Sequence, residues 1–251
     1  MALSEREVAH FEREGWVAPQ LRLPAEALAV LVRAADALAA APAARGGAMR
    51  YGDETARAAG RELLGRVEYF QRAQPELGAF ARSALVLGLL QPLLGEPPAL
   101  FKDKLNYKLP GGERFAAHQD VQAGWSRYCA THLTLVVHLD ASTPESGCLE
   151  LARGLPRRVP IGAPWRPLEG EALAGLRFEP RPAAPGELLL FDSYVPHRSA
   201  QNRSQEPRRV LYLTFNPRSE GDHYERYFAD KRAAFPPDAE REPGRRYRYR
   251  V

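Results

Sequence analysis

Phe101-Lys102-Asp103-Lys104-Leu105-Asn106-Tyr107-Lys108-Leu109 is the stretch on which the fold turns. Lys102, Lys104, Asn106 and Lys108 share one parity and are polar, whereas Phe101, Leu105, Tyr107 and Leu109 on the other are apolar. A period of two predicts a strand between two environments, one oily and one wet or chemical. The pattern recurs downstream. Leu133, Leu135, Val137 and Leu139 alternate with His132, Thr134, Val136 and His138. From Arg208 to Phe215, Leu211, Leu213 and Phe215 share a face opposite Arg208, Val210, Tyr212 and Thr214, and Gly186 to Phe191 reads as a further strand.

Upstream the period changes. Ser4-x-x-Glu7 reads as a capping box with Gly15 placed to end the helix, and Pro24 suits the start of a second helix carrying Leu28, Leu31, Val32, Ala35 and Leu38. Ala41 to Thr55 has no clear period and is expected to be a loop, and one more helix is expected from Glu76 to Leu94. Leu155 to Pro167 and Pro180 to Gly186 read as turns and loops. The expected fold is mainly β with flanking helices. It is a double-stranded β-helix (jelly roll, cupin-like), with an N-terminal helical region packed on one sheet. The apolar faces should lie under the helices and the mixed faces should line a central pocket. One domain over 1–251 is expected, divided into a largely helical part (1–98), the jelly-roll core (99–217) and a C-terminal extension (218–251).

Bulk composition narrows the function classes. With 45% hydrophobic and 26% charged residues the chain reads as an ordinary globular protein, and no apolar run is judged to approach bilayer-spanning length. The start Met-Ala-Leu-Ser-Glu-Arg-Glu lacks a secretory pattern. Cys129 and Cys148 offer neither a disulfide framework nor zinc spacing, so a cytoplasmic location is expected. The net charge of +4 is modest, and its excess sits largely in the Arg- and Tyr-rich segment 241–250. With no basic stripe elsewhere to extend that footprint, a nucleic-acid partner is not expected, nor is a membrane; a small-molecule substrate is, and the oligomeric state is left open.

His118-Gln119-Asp120 carries the chemistry. Residues two apart in extended backbone point the same way, so His118 and Asp120 can reach one metal. A lone His-x-Asp is common by chance. Joined by the later His197, with Ser199 and Arg208 after it, the set offers two imidazoles and one carboxylate, the facial donor set of non-haem Fe(II) oxygenases.

His118-x-Asp120, Pro196-His197-x-Ser199, Asn202-x-Ser204 and Arg208-Arg209 together resemble the phytanoyl-CoA dioxygenase family of Fe(II)/2-oxoglutarate oxygenases. Phe11-x-x-x-Gly15-Trp16-Val17 is similar to that family's beginning, and Asp140-x-x-x-Pro144-Glu145-x-Gly147-Cys148-Leu149 resembles its central stretch. Residues 101–112 and 221–232 look closest to members of the 2-aminoethylphosphonate dioxygenase type. In place of the Pro-Gly-Ser-His of many members, this chain has Arg153-Gly154-Leu155-Pro156-Arg157-Arg158, so the substrate-side loop differs.

The resemblance implies that His118, Asp120 and His197 ligate Fe(II), with 2-oxoglutarate and O2 as co-substrates. Asp120 implies hydroxylation, because related halogenases carry a small residue there. Arg208 would pair the far carboxylate of 2-oxoglutarate through its planar fork, with Ser199 adding a hydroxyl and Lys108 and Asn106 helping. The lysines of the 101–109 strand could equally be exposed or bind an anionic substrate. Trp125 and Tyr128 read either as a lid over the substrate or as core filling. His132 and His138 read as structural, and His223 as a residue near the site entrance. The implied reaction hydroxylates an unactivated C–H bond of a small polar metabolite, such as an aminophosphonate, amine or amino acid, with release of succinate and CO2. Two other readings stand beside it: a non-catalytic jelly-roll ligand-binding or sensor protein, and a macromolecule hydroxylase docking through its basic C-terminus.

Overall fold

The computed structural model describes residues 2–153, 158–245 and 247. Residues 154–157 of the divergent loop, and 246 and 248–251 of the basic tail, lie outside the described residues. In chain order the elements are α1 (Glu5–Glu14), β1 (Trp16–Val17), α2 (Ala25–Ala40), β2 (Met49–Gly52), α3 (Glu54–Ala58), β3 (Leu64–Glu68), α4 (Pro75–Ala81) and α5 (Ala84–Leu94). There follow β4 (Pro98–Lys108), β5 (Phe115–His118), β6 (Leu133–His138), β7 (Leu149–Ala152), β8 (Phe178–Arg181), β9 (Leu188–Asp192), β10 (His197–Ser199), β11 (Arg208–Pro217) and α6 (Tyr224–Ala234).

Two antiparallel sheets form the jelly roll, a seven-stranded one in the order β1-β9-β6-β11-β4-β3-β2 and a four-stranded one in the order β5-β10-β7-β8. The alternation read from the sequence sorts their faces. Leu105 and Tyr107 of β4, Leu133, Leu135 and Val137 of β6 and Leu211, Leu213 and Phe215 of β11 pack in one core with Leu31, Ala35 and Leu38 of α2 and Leu89 and Leu90 of α5. On the opposite parity Val136, Val210 and Tyr212 meet Leu149 and Leu151 of the small sheet. Each buried aliphatic side chain contributes about 1.5–3 kcal/mol. The polar members of that inward parity, Lys104, Asn106, Lys108 and Arg208, are left facing the interior between the sheets.

The helix ends follow their local chemistry. Ser4 and Glu7 form the expected reciprocal cap on α1, and Gly15 closes it at φ 76°, in the left-handed region. The expected helix from Glu76 to Leu94 is instead two. The chain breaks at Arg82-Ser83, where the Ser83 hydroxyl accepts from the Val86 N–H and starts α5 as a fresh N-cap. By length and composition Pro75–Leu94, with a mean hydropathy of 1.5, does qualify as a candidate membrane span, which amends the expectation that no run approaches that length. Its buried residues Leu77, Ala81, Val86, Leu89 and Leu90 pack in the helix-facing core.

The N-terminal third is less helical than expected. β1 pairs β9 at one edge of the large sheet, while β2 and β3 extend the other edge, so Ala41 to Thr55 is partly strand. A two-residue strand and a pair rich in Gly and Arg carry too little periodicity to be read alone. The Pro180 to Gly186 connection likewise begins inside β8. In β4 the register slips opposite Thr214 and Phe215, whose partners are Lys102 and Leu100. This bulge turns Phe101 away from its parity and into an aromatic cluster, with ring centroids 5.3 Å from Trp125 and 4.6 Å from Tyr227.

Candidate metal centre

β5 and β10 lie side by side in the small sheet, with His118 directly opposite His197. That pairing brings the ring centroids to 4.2 Å. Each Nδ1 lies within hydrogen-bond reach of a carbonyl two residues back in its own chain, His118 to Ala116 at 2.8 Å and His197 to Val195 at 3.0 Å. A proton on each Nδ1 fixes the tautomer in which Nε2 carries the lone pair. Both Nε2 atoms face Asp120 Oδ1, at 3.9 Å from His118 and 4.0 Å from His197.

Asp120 opens a short 3-10 turn, Asp120–Ala123. The intervening Gln119 is extended at φ −107°, so the two-residue alternation holds across it. Its fully buried side chain points the other way and clamps the loops behind the site, donating to the carbonyls of Val159 at 3.0 Å and Tyr194 at 2.6 Å. The three potential ligand atoms lie within 4.8 Å of one another. Burial pushes the His118 imidazole down to about 3 and lowers that of His197, keeping both neutral near pH 7. Burial would raise the Asp120 carboxyl, but the two imidazoles, Lys104 and Lys102 bring it below its ordinary value. Two neutral nitrogens and one carboxylate on a shared focus fit a ferrous ion.

A cavity of about 190 Å3 opens beside the triad, lined among others by Lys102, Lys104, Asn106, Trp125, Ser199 and Tyr212. Arg208 is 1% exposed and stands opposite Lys108 in the β11–β4 register. It lies behind the cavity lining, reaching the wall through a hydrogen bond with Tyr212 and donating to the Ser142 hydroxyl at 3.3 Å. Its Nε has no hydrogen-bond partner, and no carboxylate among the described residues lies within ion-pair distance of it. Lys108 donates to the Ser199 hydroxyl at 2.7 Å and the Ala200 carbonyl at 2.5 Å. Burial, and then the neighbouring Arg208, push its ammonium down to about 6. The buried Asn106 presents an unpartnered Oδ1.

The lysines of β4 are internal. Lys104 places its ammonium 4.5 Å from the centre of the Tyr212 ring and Lys102 5.1 Å from that of Trp125. Burial, and then Lys102, lower the Lys104 ammonium to about 8. Trp125 is at once cavity wall and aromatic core, 1% exposed. Tyr128 is not on the wall; it packs on Phe101 and hydrogen-bonds Asp230 at 2.6 Å. His223 is likewise away from the lining, its Nε2 2.7 Å from the Glu220 carbonyl oxygen. His132 sits 2.9 Å from Cys129 Sγ inside the aromatic core, and His138 is buried in β6.

Several lining residues escape a reading of the sequence. Arg66 arrives on the unforeseen β3, Glu113 on the approach to β5 and Phe115 at its first position. Trp165 comes from the loop after β7, held at φ 63° with its ring over Gly124. Only Tyr212 carried a signal, its inward parity on the β11 pattern.

The sequence model of the phytanoyl-CoA dioxygenase (PhyH) family matches residues 11–210. The chain is 41% identical over 199 residues to a 2-aminoethylphosphonate dioxygenase from the uncultured bacterium HF130_AEPn_1, covering 77% of this chain and 74% of the relative. It is 45% identical over 148 residues to a methylphosphonate hydroxylase from Gimesia maris, covering 57% and 55%. Among solved structures, EctD from S. alaskensis with 2-oxoglutarate and 5-hydroxyectoine shares the fold, with a TM-score of 0.71 and 24% identity over 87% of this chain and 77% of that one. The family match runs from the end of α1 into β11 and includes both triad strands, so the chain belongs to the phytanoyl-CoA dioxygenase family.

Proposed function

We propose that this protein is an Fe(II)/2-oxoglutarate-dependent dioxygenase that hydroxylates an unactivated C–H bond of a small polar metabolite, with organophosphonates the first class to test. The observation that carries the reading is the triad itself, two histidines tied back through Nδ1 so that both Nε2 atoms converge on one carboxylate. The relatives named for phosphonate oxidation support the substrate class. Bound iron and 2-oxoglutarate would supply the oxidising chemistry, in which O2 gives one oxygen atom to the new hydroxyl and one to succinate as CO2 leaves.

The protein's part is to hold and orient. His118, Asp120 and His197 would hold the metal on one face. Arg208 would take the far carboxylate of 2-oxoglutarate, with Ser199 and Lys108 closing round it and Asn106 lining the route between. A buried guanidinium with no carboxylate of its own is a costly arrangement, and an incoming dicarboxylate relieves it. Trp125 would wall the substrate side, and the cavity's enclosure would keep bulk water from the reacting carbon. We place this activity in a single oxygenase domain over 1–251, since strands as early as β1 and as late as β11 share one sheet. We place it in the reducing cytosol, consistent with Cys129 and Cys148 being buried and unpaired.

The test is substrate-dependent succinate release across a panel of organophosphonates, amines and amino acids, preceded by anaerobic binding of Fe(II) and 2-oxoglutarate. Tight binding of both, with succinate formed in proportion to a hydroxylated product, is expected. Protein that binds neither under those conditions ends the proposal.

A further inference from the structure

The cavity beside the triad holds a cation with no anion of its own. Lys104 points inward from the middle of β4 and lines the cavity with Asp120. No carboxylate among the described residues lies within ion-pair distance of its ammonium, which instead rests over the Tyr212 ring. Its acidic neighbours are Asp120 and Glu68. Each is already committed. Asp120 belongs to the metal set. Glu68, fully buried, is paired with Arg66 Nε at 3.1 Å and with the Lys231 ammonium.

The other cations of the lining are not equivalent to it. Arg198 is paired with Glu150 at 2.8 Å, Arg66 with Glu68, and Arg114 is exposed to solvent. Lys102, one inward position along the same strand, adds a second positive charge close enough to depress the Lys104 ammonium. Two cations on one wall repel each other, and although Lys102 also has Glu68 nearby, a multiply charged anion beside Lys104 relieves the cost there. The 2-oxoglutarate site proposed above would not need this wall, because Arg208 and Lys108 lie further along the sheet, beyond Asn106 in the β4–β11 register.

We infer that Lys104, seconded by Lys102, is the anchor for a doubly negative phosphonate group on the substrate, and that this contact selects phosphonates over singly charged analogues. The inference rests on the oxygenase reading above, since it is the metal next to Lys104 that gives the anchored molecule a reacting carbon. Held by its phosphonate on β4, a short substrate would present its carbon chain across the cavity toward the open side of the triad. A larger group in place of the phosphonate, or a neutral one, would leave the half-buried Lys104 against the ring with its charge still unmatched.

The experiment uses the full chain loaded anaerobically with Fe(II) and 2-oxoglutarate, and measures by calorimetry the Kd of 2-aminoethylphosphonate and of its sulfonate counterpart, 2-aminoethanesulfonate, near neutral pH. The two probes differ chiefly in one negative charge. The wild type should bind the phosphonate at least roughly tenfold more tightly, the equivalent of one charge-assisted contact. Lys104→Met should remove most of that preference while the Kd of 2-oxoglutarate stays within about twofold, and Lys104→Arg, which keeps the charge and guards against a folding artefact, should retain a clear part of it. An unchanged phosphonate Kd in Lys104→Met overturns the inference, as does a loss of 2-oxoglutarate or iron affinity in its place. Wild-type protein that binds iron and 2-oxoglutarate but discriminates nothing between the probes sinks the anchor and leaves the oxygenase standing; failure to bind iron and 2-oxoglutarate sinks the oxygenase itself.

Discussion

Arg208 shows how much a single residue is asked to do. Its side chain is sealed from water, satisfied by a hydroxyl at 3.3 Å and by Tyr212, and left with Nε unpartnered. A planar fork can grip both oxygens of a carboxylate, whereas an ammonium at the same place is a point charge on a shorter reach. Arg208→Lys should therefore weaken 2-oxoglutarate binding by about tenfold, equivalent to about 1.4 kcal/mol, with the fold and iron affinity retained. An anaerobic 2-oxoglutarate titration measures it, and an unchanged affinity would move the co-substrate anchor elsewhere. The inward face of Arg208 was legible in the sequence, since its parity sets it opposite Leu211 and Leu213, as was the shared side of His118 and Asp120, while His197 joined them only through the family resemblance. The depth of Arg208 behind Tyr212 was not legible, because parity gives a face and not a layer. Lys104's lack of a counter-ion was equally hidden, since it depends on which distant residues claim Glu68.

At the scale of elements, that claim is staked by β3, β4 and α6 together. Glu68 of β3 accepts from Arg66 on its own strand and from Lys231 of α6, with Lys102 of β4 as a further cation close by. The sequence hid this cluster for two reasons. β3 is short and poorly alternating, and Lys231 lies 163 positions from its partner, a pairing no local pattern encodes. The bulge at Phe101 was hidden in the same way, since a one-residue slip is set by β11 and not by β4's own pattern. Burial alone would raise the Glu68 carboxyl, but Lys231, Lys102 and Arg66 outweigh it and hold it well below its ordinary value of 4.5. Glu68→Gln would leave those cations facing a neutral amide, a loss of about 3–5 kcal/mol expected from breaking a buried pair. The sign with pH follows from the depressed value. The Glu68 contribution is fully present above the unfolded value of 4.5 and is lost as pH falls from there through the lower folded one. Urea unfolding should thus show a large gap between wild type and variant near pH 7 that narrows only below about pH 4.5. A gap independent of pH down to the acid limit would mean that the stabilisation is packing and not charge.

Across the whole molecule, the site straddles the two sheets. His118 and His197 belong to the four-stranded sheet, while Arg208 and Lys108 belong to the seven-stranded one, and the interior between them carries only a modest apolar cluster. Metal alone would be held by one sheet and its adjoining turn. 2-Oxoglutarate chelated to that metal and gripped by Arg208 would tie one sheet to the other. Binding to the folded state alone stabilises it by about 2.7 kcal/mol at a ligand concentration a hundredfold above Kd. In a chain of this size each kcal/mol raises Tm by roughly 2–4 °C, so a rise of about 5–11 °C is expected from each of Fe(II) and 2-oxoglutarate, added in turn under anaerobic conditions. The increments should separate by sheet. Asp120→Ala should abolish both, because without the metal the keto acid loses its near-end hold. Arg208→Met should keep the iron increment and lose most of the one from 2-oxoglutarate. A 2-oxoglutarate increment that survives in Arg208→Met would show that the co-substrate does not bridge the sheets, and the long-range role of β11 in the site would have to be abandoned even if the triad were right.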